Sequence, residues 1–304
     1  MRELPLFLTH YEEVPTWLLD YIPSSENILK YERGSEIGSN FIRDRSVLIC
    51  KKREESFVAH CERMGFRYGV ISVTDENLEN YMGYASSCLC RFVVRGYMHP
   101  HVVSTLSRLN MREKLLHIYP GMSARFLAIS AQSNKKKIPV NTWCFAGELK
   151  PSRSNMLEEF NLLKGGTSIL SSEGFIPDDQ KKLGLKTDDY RQLIENSMFS
   201  LCPPGWVNID TYRFYESLEA GAIPVVLKNA SYSNHDISYW DLKYRPDQDL
   251  PVVQAANWRE ARIICENLLA TGEAWHLREK AAVFWLSLKQ YWKDELNNYF
   301  FNSW

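Results

Sequence analysis

Short unbroken apolar runs punctuate the first part of this chain and alternate with longer stretches of mixed charge. LPLFLT at 4–9, SVLIC at 46–50, RYGVISV at 67–73, LCRFVV at 89–94 and KLLHIY at 114–119 are strand-length and rich in β-branched, aromatic and leucine side chains. Between the second and third runs, KKREESFVAHCERMG at 51–65 has helical spacing and stops at Gly65. Strands separated by helical segments in this way predict a parallel sheet of right-handed βαβ units. The polar stretch SAQSNKKKIPVN at 130–141 has little to bury and predicts a linker. Its three lysines read as a solvated turn, with a phosphate contact as the sharper alternative.

The alternation then restarts. TWCFAG at 142–147 predicts a strand, 154–163 a helix, FSLC at 199–202 a strand, 210–220 a helix and IPVVL at 223–227 a strand. DLPVVQ at 249–254 predicts another strand, WREARIICENLLA at 258–270 a helix, and the aromatic segment 274–300 a long final helix. The pattern divides into a first doubly wound domain over 1–135, a second over 136–273, and a C-terminal helical segment over 274–304. The expected class is α/β, with two Rossmann-like domains facing a cleft. Ligands of such sheets bind outside the carboxyl ends of the strands, so the loops that follow strands carry the candidate chemistry.

Composition narrows the classes without choosing among them. Hydrophobic content of 45% with 24% charged residues is globular, and 304 residues suit two domains. A net charge of −1 excludes a bulk pull toward nucleic acid or anionic membrane, so any ligand needs a local site. Seven cysteines, an odd number without framework spacing, fit reduced thiols in the cytoplasm. MRELPLFLTHYEEVP has an apolar run too short for a signal-peptide core, and no segment approaches the ~20 apolar residues of a membrane span. These features predict a soluble cytoplasmic protein, unless an anchor has been removed. Nine Trp and sixteen Tyr offer surfaces for stacking on sugar or base rings, and equally for filling cores.

The stretch FSLCPPGWVNIDTYRFYESLEAGAIPVV, 199–226, is the least like anonymous core. Pro203, Pro204 and Gly205 stop the strand and allow a ligand close to the backbone. Asp210 or Thr211 is placed to cap the following helix, whose free N–H groups suit a phosphate. Arg213 lies in the first turn of that helix, where its fork can pair with a diphosphate, and the Glu216 carboxylate can accept both hydroxyls of a ribose. Diphosphate plus ribose describes a nucleotide. The plainer alternative is an Arg–Glu pair on a solvated helix face.

In order and spacing this run resembles the nucleotide-binding signature of exostosin-type glycosyltransferases (family 47, GT-B fold) and of the related ribitol xylosyltransferase group. The matching positions are Phe199, Leu201, Pro203, Gly205, Thr211, Arg213, Glu216, Gly221, Ile223, Pro224, Val225 and Val226. TWCFAGELKPSRSNM resembles the first strand and loop of the same donor domain. Gly147 then marks the strand end, and Lys150 and Arg153 become further phosphate contacts. VISVTDENLENY, CRFVVRGYMHP and LLHIYPGM are similar, more loosely, to the acceptor domain. The resemblance implies an inverting, metal-independent GT-B transferase that moves a sugar from a nucleoside diphosphate, with UDP favoured, to a glycan or polyol hydroxyl. No cofactor is implied beyond the nucleotide-sugar co-substrate, and no nucleic-acid partner. For the general base it points to Asp75 or Glu76 after the third strand, or to His10 after the first; Glu12 and Arg95 complete the acceptor side. Asp75 can equally cap a helix, and Arg95 can equally pair with a carboxylate. The alternative function is a catalytically silent GT-B scaffold, a partner or glycan-binding subunit in polysaccharide assembly.

Rival signals are weaker. Asp247-Gln248-Asp249 is formally a metal-binding DxD, but it follows Tyr244-Arg245-Pro246 and reads as a turn. Cys88 and Cys90 with His99 and His101 could hold zinc, but the one-residue spacings favour buried thiols and loop histidines. Neither GxxxxGK[ST] nor GxGxxG occurs. The resemblance to GT-B proteins implies that the final helix crosses back to pack on the first domain, a use that Trp275, Phe284, Trp285, Leu288 and Trp292 fit, with membrane-surface contact as the alternative.

Overall fold

The computed structural model describes residues 6–9, 16–22, 28–30, 42–50, 55–73, 84, 86–98, 108, 114–122, 124–130, 138–171, 185–205, 208–229, 239–244 and 250–304. They form two compact units: Met1–Gly121 together with Lys289–Trp304, and Met122–Leu288.

The first unit holds strands β1 (Leu6–Thr9), β2 (Ile28–Lys30), β3 (Ser46–Ile49), β4 (Tyr68–Ser72), β5 (Cys90–Arg95) and β6 (Leu115–His117), with helices α1 (Thr16–Leu19) and α2 (Glu55–Met64). They make one six-stranded sheet in the order β2-β1-β3-β4-β5-β6, parallel at every pairing. Strands β3 and β4 are buried along their whole length, which is why they read as continuous apolar runs rather than alternating ones. On one face Leu8, Leu48, Val70 and Val93 pack with Phe57 and Cys61 of α2. On the other, Phe92 stacks on Tyr299 with ring centroids 5.1 Å apart, while Phe300 meets Phe7 edge-on at 5.1 Å. Gly69 makes room for that face, since a Cβ there would sit 2.2 Å from the Phe92 ring. Arg95 is the last residue of β5 rather than the first of a loop, and it is buried.

In the second unit the elements are α3 (Ala124–Ser130), β7 (Asn141–Glu148), α4 (Pro151–Phe160), β8 (Thr167–Ser171), α5 (Thr187–Glu195), β9 (Ser197–Leu201), α6 (Tyr212–Ala220), β10 (Ile223–Leu227), α7 (Tyr239–Lys243), β11 (Val253–Ala255) and α8 (Trp258–Thr271). The sheet runs β11-β10-β9-β7-β8, again parallel throughout. From β7 the chain steps outward to β8, then returns to place β9 on the other side of β7. The order therefore reverses between β7 and β9, and the carboxyl ends of those two strands flank the crevice where doubly wound sheets take ligands. Trp143, Phe145, Phe199, Leu201, Ile223 and Val225 form the core with Trp258 and Ala261 of α8.

Helix α9 (Glu273–Asn302) contributes to both units. Its early part serves the second, where the Trp285 indole donates to Glu219 Oε2 at 2.5 Å. Its later part serves the first, where the Trp292 indole donates to the His117 carbonyl at 3.0 Å and its ring lies 5.1 Å from that of Tyr119. Trp285, Leu288 and Trp292 are buried as the sequence predicts, but Trp275 is 48% exposed and lies beside the Arg278 guanidinium. Trp275 falls in the first turn of α9. No helix among the described residues is long and apolar enough to cross a membrane.

Candidate functional site

Two loops leave the reversal point of the second sheet. The first follows β7 and starts α4; the second follows β9 and starts α6. Both helices begin without a side-chain cap: Lys150 occupies the N-cap of α4, with Pro151 beginning the helix, and Thr211 occupies that of α6. A helix start carries a positive partial charge, although Pro151 brings no N–H and the N–H groups of Arg153 and Phe214 already donate to the Lys150 and Thr211 carbonyls at 2.8 and 3.1 Å.

Arg153 and Arg213 converge there. The Arg213 guanidinium donates to the Ala146 carbonyl at 2.8 Å and lies 5.1 Å from the centre of the Phe145 ring. Arg153, from the first turn of α4, lies 5.8 Å from the centre of the same ring. It donates to the Glu148 carbonyl at 2.8 Å and to the Pro204 carbonyl at 3.5 Å, so it bridges both loops. Gly147 permits the arrangement: its φ is +153°, and a Cβ on it would stand 2.8 Å from Arg213 Nη2. Burial, and then the neighbouring Arg213 charge, push the Arg153 pKa down to about 10. The Nε atoms of Arg153 and Arg213 are both buried and make no hydrogen bond among the described residues. Two like charges beside one aromatic ring, one of them nearly sealed from water, form a site that an anion would complete.

Glu216 lies one turn beyond Arg213. Its Oε2 accepts from the Tyr190 hydroxyl of α5 at 3.0 Å, whereas Arg213 donates to the Ala146 carbonyl of β7. Lys150 is buried, and its Nζ lies 3.8 Å from Glu148 Oε2. Pro203 is buried at the end of β9, and the Gly205 N–H closes a turn onto the Asn208 carbonyl at 2.8 Å.

Helix α6 begins at Tyr212, two residues later than the sequence pattern predicts, and neither Asp210 nor Thr211 caps it through its side chain. Asp210 turns inward instead. Its Oδ2 pairs with Lys243 and accepts from Tyr215 at 3.0 Å and Tyr239 at 3.2 Å. Tyr244 donates in turn to Tyr215 at 3.1 Å. A buried carboxylate with an ammonium and two phenols around one oxygen outcompetes a cap bond. This cluster anchors the loop at Asp210, two residues before α6 begins.

Of the residues singled out in the sequence, Gly147, Lys150, Arg153, Pro203 and Gly205 follow or end β7 and β9, Thr211 and Arg213 open α6, and Glu216 lies one turn further along that helix against Tyr190. The sequence reading missed Phe145 as the platform, although Phe145 alternates with Trp143 and Gly147 on the same strand face. Tyr190, Tyr239 and Lys243 carry no local signal. His10, Glu12, Asp75, Glu76, His99, His101 and the Asp247–Asp249 turn lie outside the described residues. Cys88 is exposed and Cys90 buried, with its thiol pushed up to about 12 by burial. Cys144 and Cys202, at the floor of the site, are raised to about 11 and about 12, so neither offers a thiolate at neutral pH. Among the described residues no group of three or more His, Cys, Asp or Glu could hold a metal ion.

Comparison with known proteins adds to this geometry. Residues 152–303 match the family model described as the RXYLT1 C-terminal domain. Exostosin-1 of Drosophila melanogaster is 32% identical over 102 residues, which cover 32% of this chain and 12% of that protein. Exostosin-1 of Bos taurus is 31% identical over 81 residues, 27% of this chain and 8% of that protein. The chain therefore spans only a small part of these relatives. The crystal structure of Anabaena Alr3699/HepE in complex with UDP superposes with a TM-score of 0.55 at 10% identity, covering 97% of this chain and 100% of that one. The same protein in complex with UDP-glucose gives 0.52 at 10% identity, with the same coverage. At that identity the likeness shows the fold, an α/β fold of the GT-B class.

Proposed function

Since this chain belongs to the RXYLT1 C-terminal domain family, an exostosin-like group related to the ribitol xylosyltransferases, we propose that it is a glycosyltransferase whose second unit binds a nucleoside diphosphate sugar. One observation carries the reading: the paired guanidinium groups of Arg153 and Arg213 over Phe145, at the point where the strand order reverses. HepE, which shares the fold, is described in complex with UDP and with UDP-glucose, and we propose UDP as the nucleotide here too.

In this reading Arg153, Arg213 and the N–H groups opening α6 hold the diphosphate, Lys150 adds charge beside it, and Glu216 accepts the ribose hydroxyls. Reaction is a single displacement with inversion. The acceptor oxygen bonds to the anomeric carbon, the bond to the diphosphate oxygen breaks, and a base takes the acceptor proton. We assign that base to Asp75, Glu76 or His10, with Glu12 and Arg95 on the acceptor side. The leaving diphosphate gains negative charge as the bond breaks, and two fixed guanidinium groups meet it there without a divalent cation. The acceptor is a glycan or polyol hydroxyl in polysaccharide synthesis, and the sugar is a hexose or pentose.

Calorimetry with UDP, GDP and CMP, in the presence of a chelator, tests the donor reading. Binding of UDP with a micromolar Kd, abolished by Arg213→Ala, is the expected result. Failure of all three nucleotides to bind would sink it. Proton NMR of the first product formed from a UDP-sugar then decides between inversion and retention.

A further inference from the structure

Helix α5 carries no motif, yet it reaches the nucleotide site from behind. Its Arg191 is buried and ties three helices together. Nε donates to Glu195 of its own helix at 2.7 Å, Nη1 to the Phe126 carbonyl of α3 at 3.0 Å, and Nη2 to the Glu219 carbonyl of α6 at 3.4 Å. The guanidinium also lies 4.7 Å from the centre of the Phe126 ring. Tyr190, one residue earlier, packs its ring on Phe126 at 5.9 Å and sends its hydroxyl to Glu216 Oε2 at 3.0 Å. Glu216 lies one turn before Glu219 on α6, so the Arg191 bridge fixes the distance over which the phenol meets the carboxylate.

We propose that Tyr190 is a positioning residue for the pentose of the nucleotide: by holding the Glu216 carboxylate in one rotamer, it makes the site prefer a ribonucleoside diphosphate to its 2′-deoxy form. The inference rests on the donor reading above. A glutamate at the surface of a helix samples several rotamers and loses that freedom when it grips a ligand. A buried phenol that donates to one of its oxygens removes the cost in advance. Two vicinal hydroxyls can then be accepted together, and a ligand lacking one of them forfeits a charge-assisted hydrogen bond. Burial and the Glu216 charge both hold the Tyr190 phenol well above its ordinary pKa, so it donates throughout the working pH range.

Calorimetric titration of the full chain with UDP and with 2′-deoxy-UDP is the test. The wild-type protein is expected to favour UDP by about tenfold. Tyr190→Phe is expected to weaken UDP by about fivefold while leaving 2′-deoxy-UDP within about twofold, so that the preference collapses. A purely structural role would weaken both nucleotides alike, and that result overturns the proposal, as does an unchanged preference. If Tyr190→Phe unfolds because Glu216 loses the Tyr190 hydrogen bond, the charge can be removed as well. Glu216→Gln alone should then keep part of the preference, and Tyr190→Phe with Glu216→Gln should lose it; equal ratios in the two would overturn the proposal. Wild-type protein that binds UDP without distinguishing the sugars overturns this inference alone. Wild-type protein that binds neither nucleotide overturns the donor reading itself.

Discussion

Arg153 is charged, nearly sealed from water and beside a second guanidinium, and each of these facts works against the stability of the folded chain. Its pKa falls from the ordinary arginine value to about 10, chiefly through burial and secondarily through Arg213. Between those two values the unfolded chain binds more protons than the folded one, so stability should rise with pH across that window. Below about pH 10 the charge is a constant cost to the fold, offset in part by its bonds to the Glu148 and Pro204 carbonyls. An anionic ligand turns that cost into affinity. Arg153→Met is therefore expected to stabilise the ligand-free protein by roughly 1 kcal/mol in urea unfolding at pH 7, and to weaken UDP by at least about tenfold. A variant that unfolds more easily and binds UDP as well as wild type contradicts both halves of the argument.

At the scale of the element, the loop between β9 and α6 owes its shape to a five-residue helix that comes almost thirty residues later in the chain. Lys243 of α7 reaches the carboxylate of Asp210 with neither group exposed. Burial pushes the lysine pKa down and that of the aspartate up, and their mutual attraction opposes both shifts. Removing one partner leaves a lone buried charge, so Lys243→Met should cost about 3–5 kcal/mol in urea unfolding of the second unit. Adding Asp210→Asn should restore most of the loss, because Tyr215 and Tyr239 can still donate to the amide oxygen. Failure of the second change to help would mean that the charge is not the source of the cost. Such elements explain what the sequence did and did not disclose. Strands buried on both faces, such as β3, β4, β9 and β10, stand out as apolar runs, and IPVVL at 223–227 marks β10 to the residue. Strand β8 escapes notice because TSILS lies on the sheet edge with only partial burial. Helix α5 escapes because TDDYRQLIE is short and mostly polar. Arg153, Arg213 and Gly147 stood out in the sequence, since each falls at a strand end or in the first turn of the helix that follows one. Tyr190 and Lys243 did not, because each reaches the site through tertiary packing and has no periodicity of its own.

Across the whole molecule the proposed nucleotide site belongs to the second unit, while the last part of α9 belongs to the first. This division makes stability and nucleotide binding separable. Trp292 is buried, bonded to the His117 carbonyl and stacked on Tyr119, so truncating it opens a cavity in the first unit. Large aromatic-to-alanine changes in a packed core cost about 3–5 kcal/mol. Trp292→Ala should therefore lower one thermal transition and leave another, the one that UDP raises, in place. At a UDP concentration of about 100 times Kd that second transition should gain about 2.7 kcal/mol in variant and wild type alike. Differential scanning calorimetry with and without UDP reads both effects at once. If the ligand-sensitive transition falls together with the other, the two units unfold as a single cooperative body, and the nucleotide site then depends on aromatic packing in a unit that contributes none of its residues.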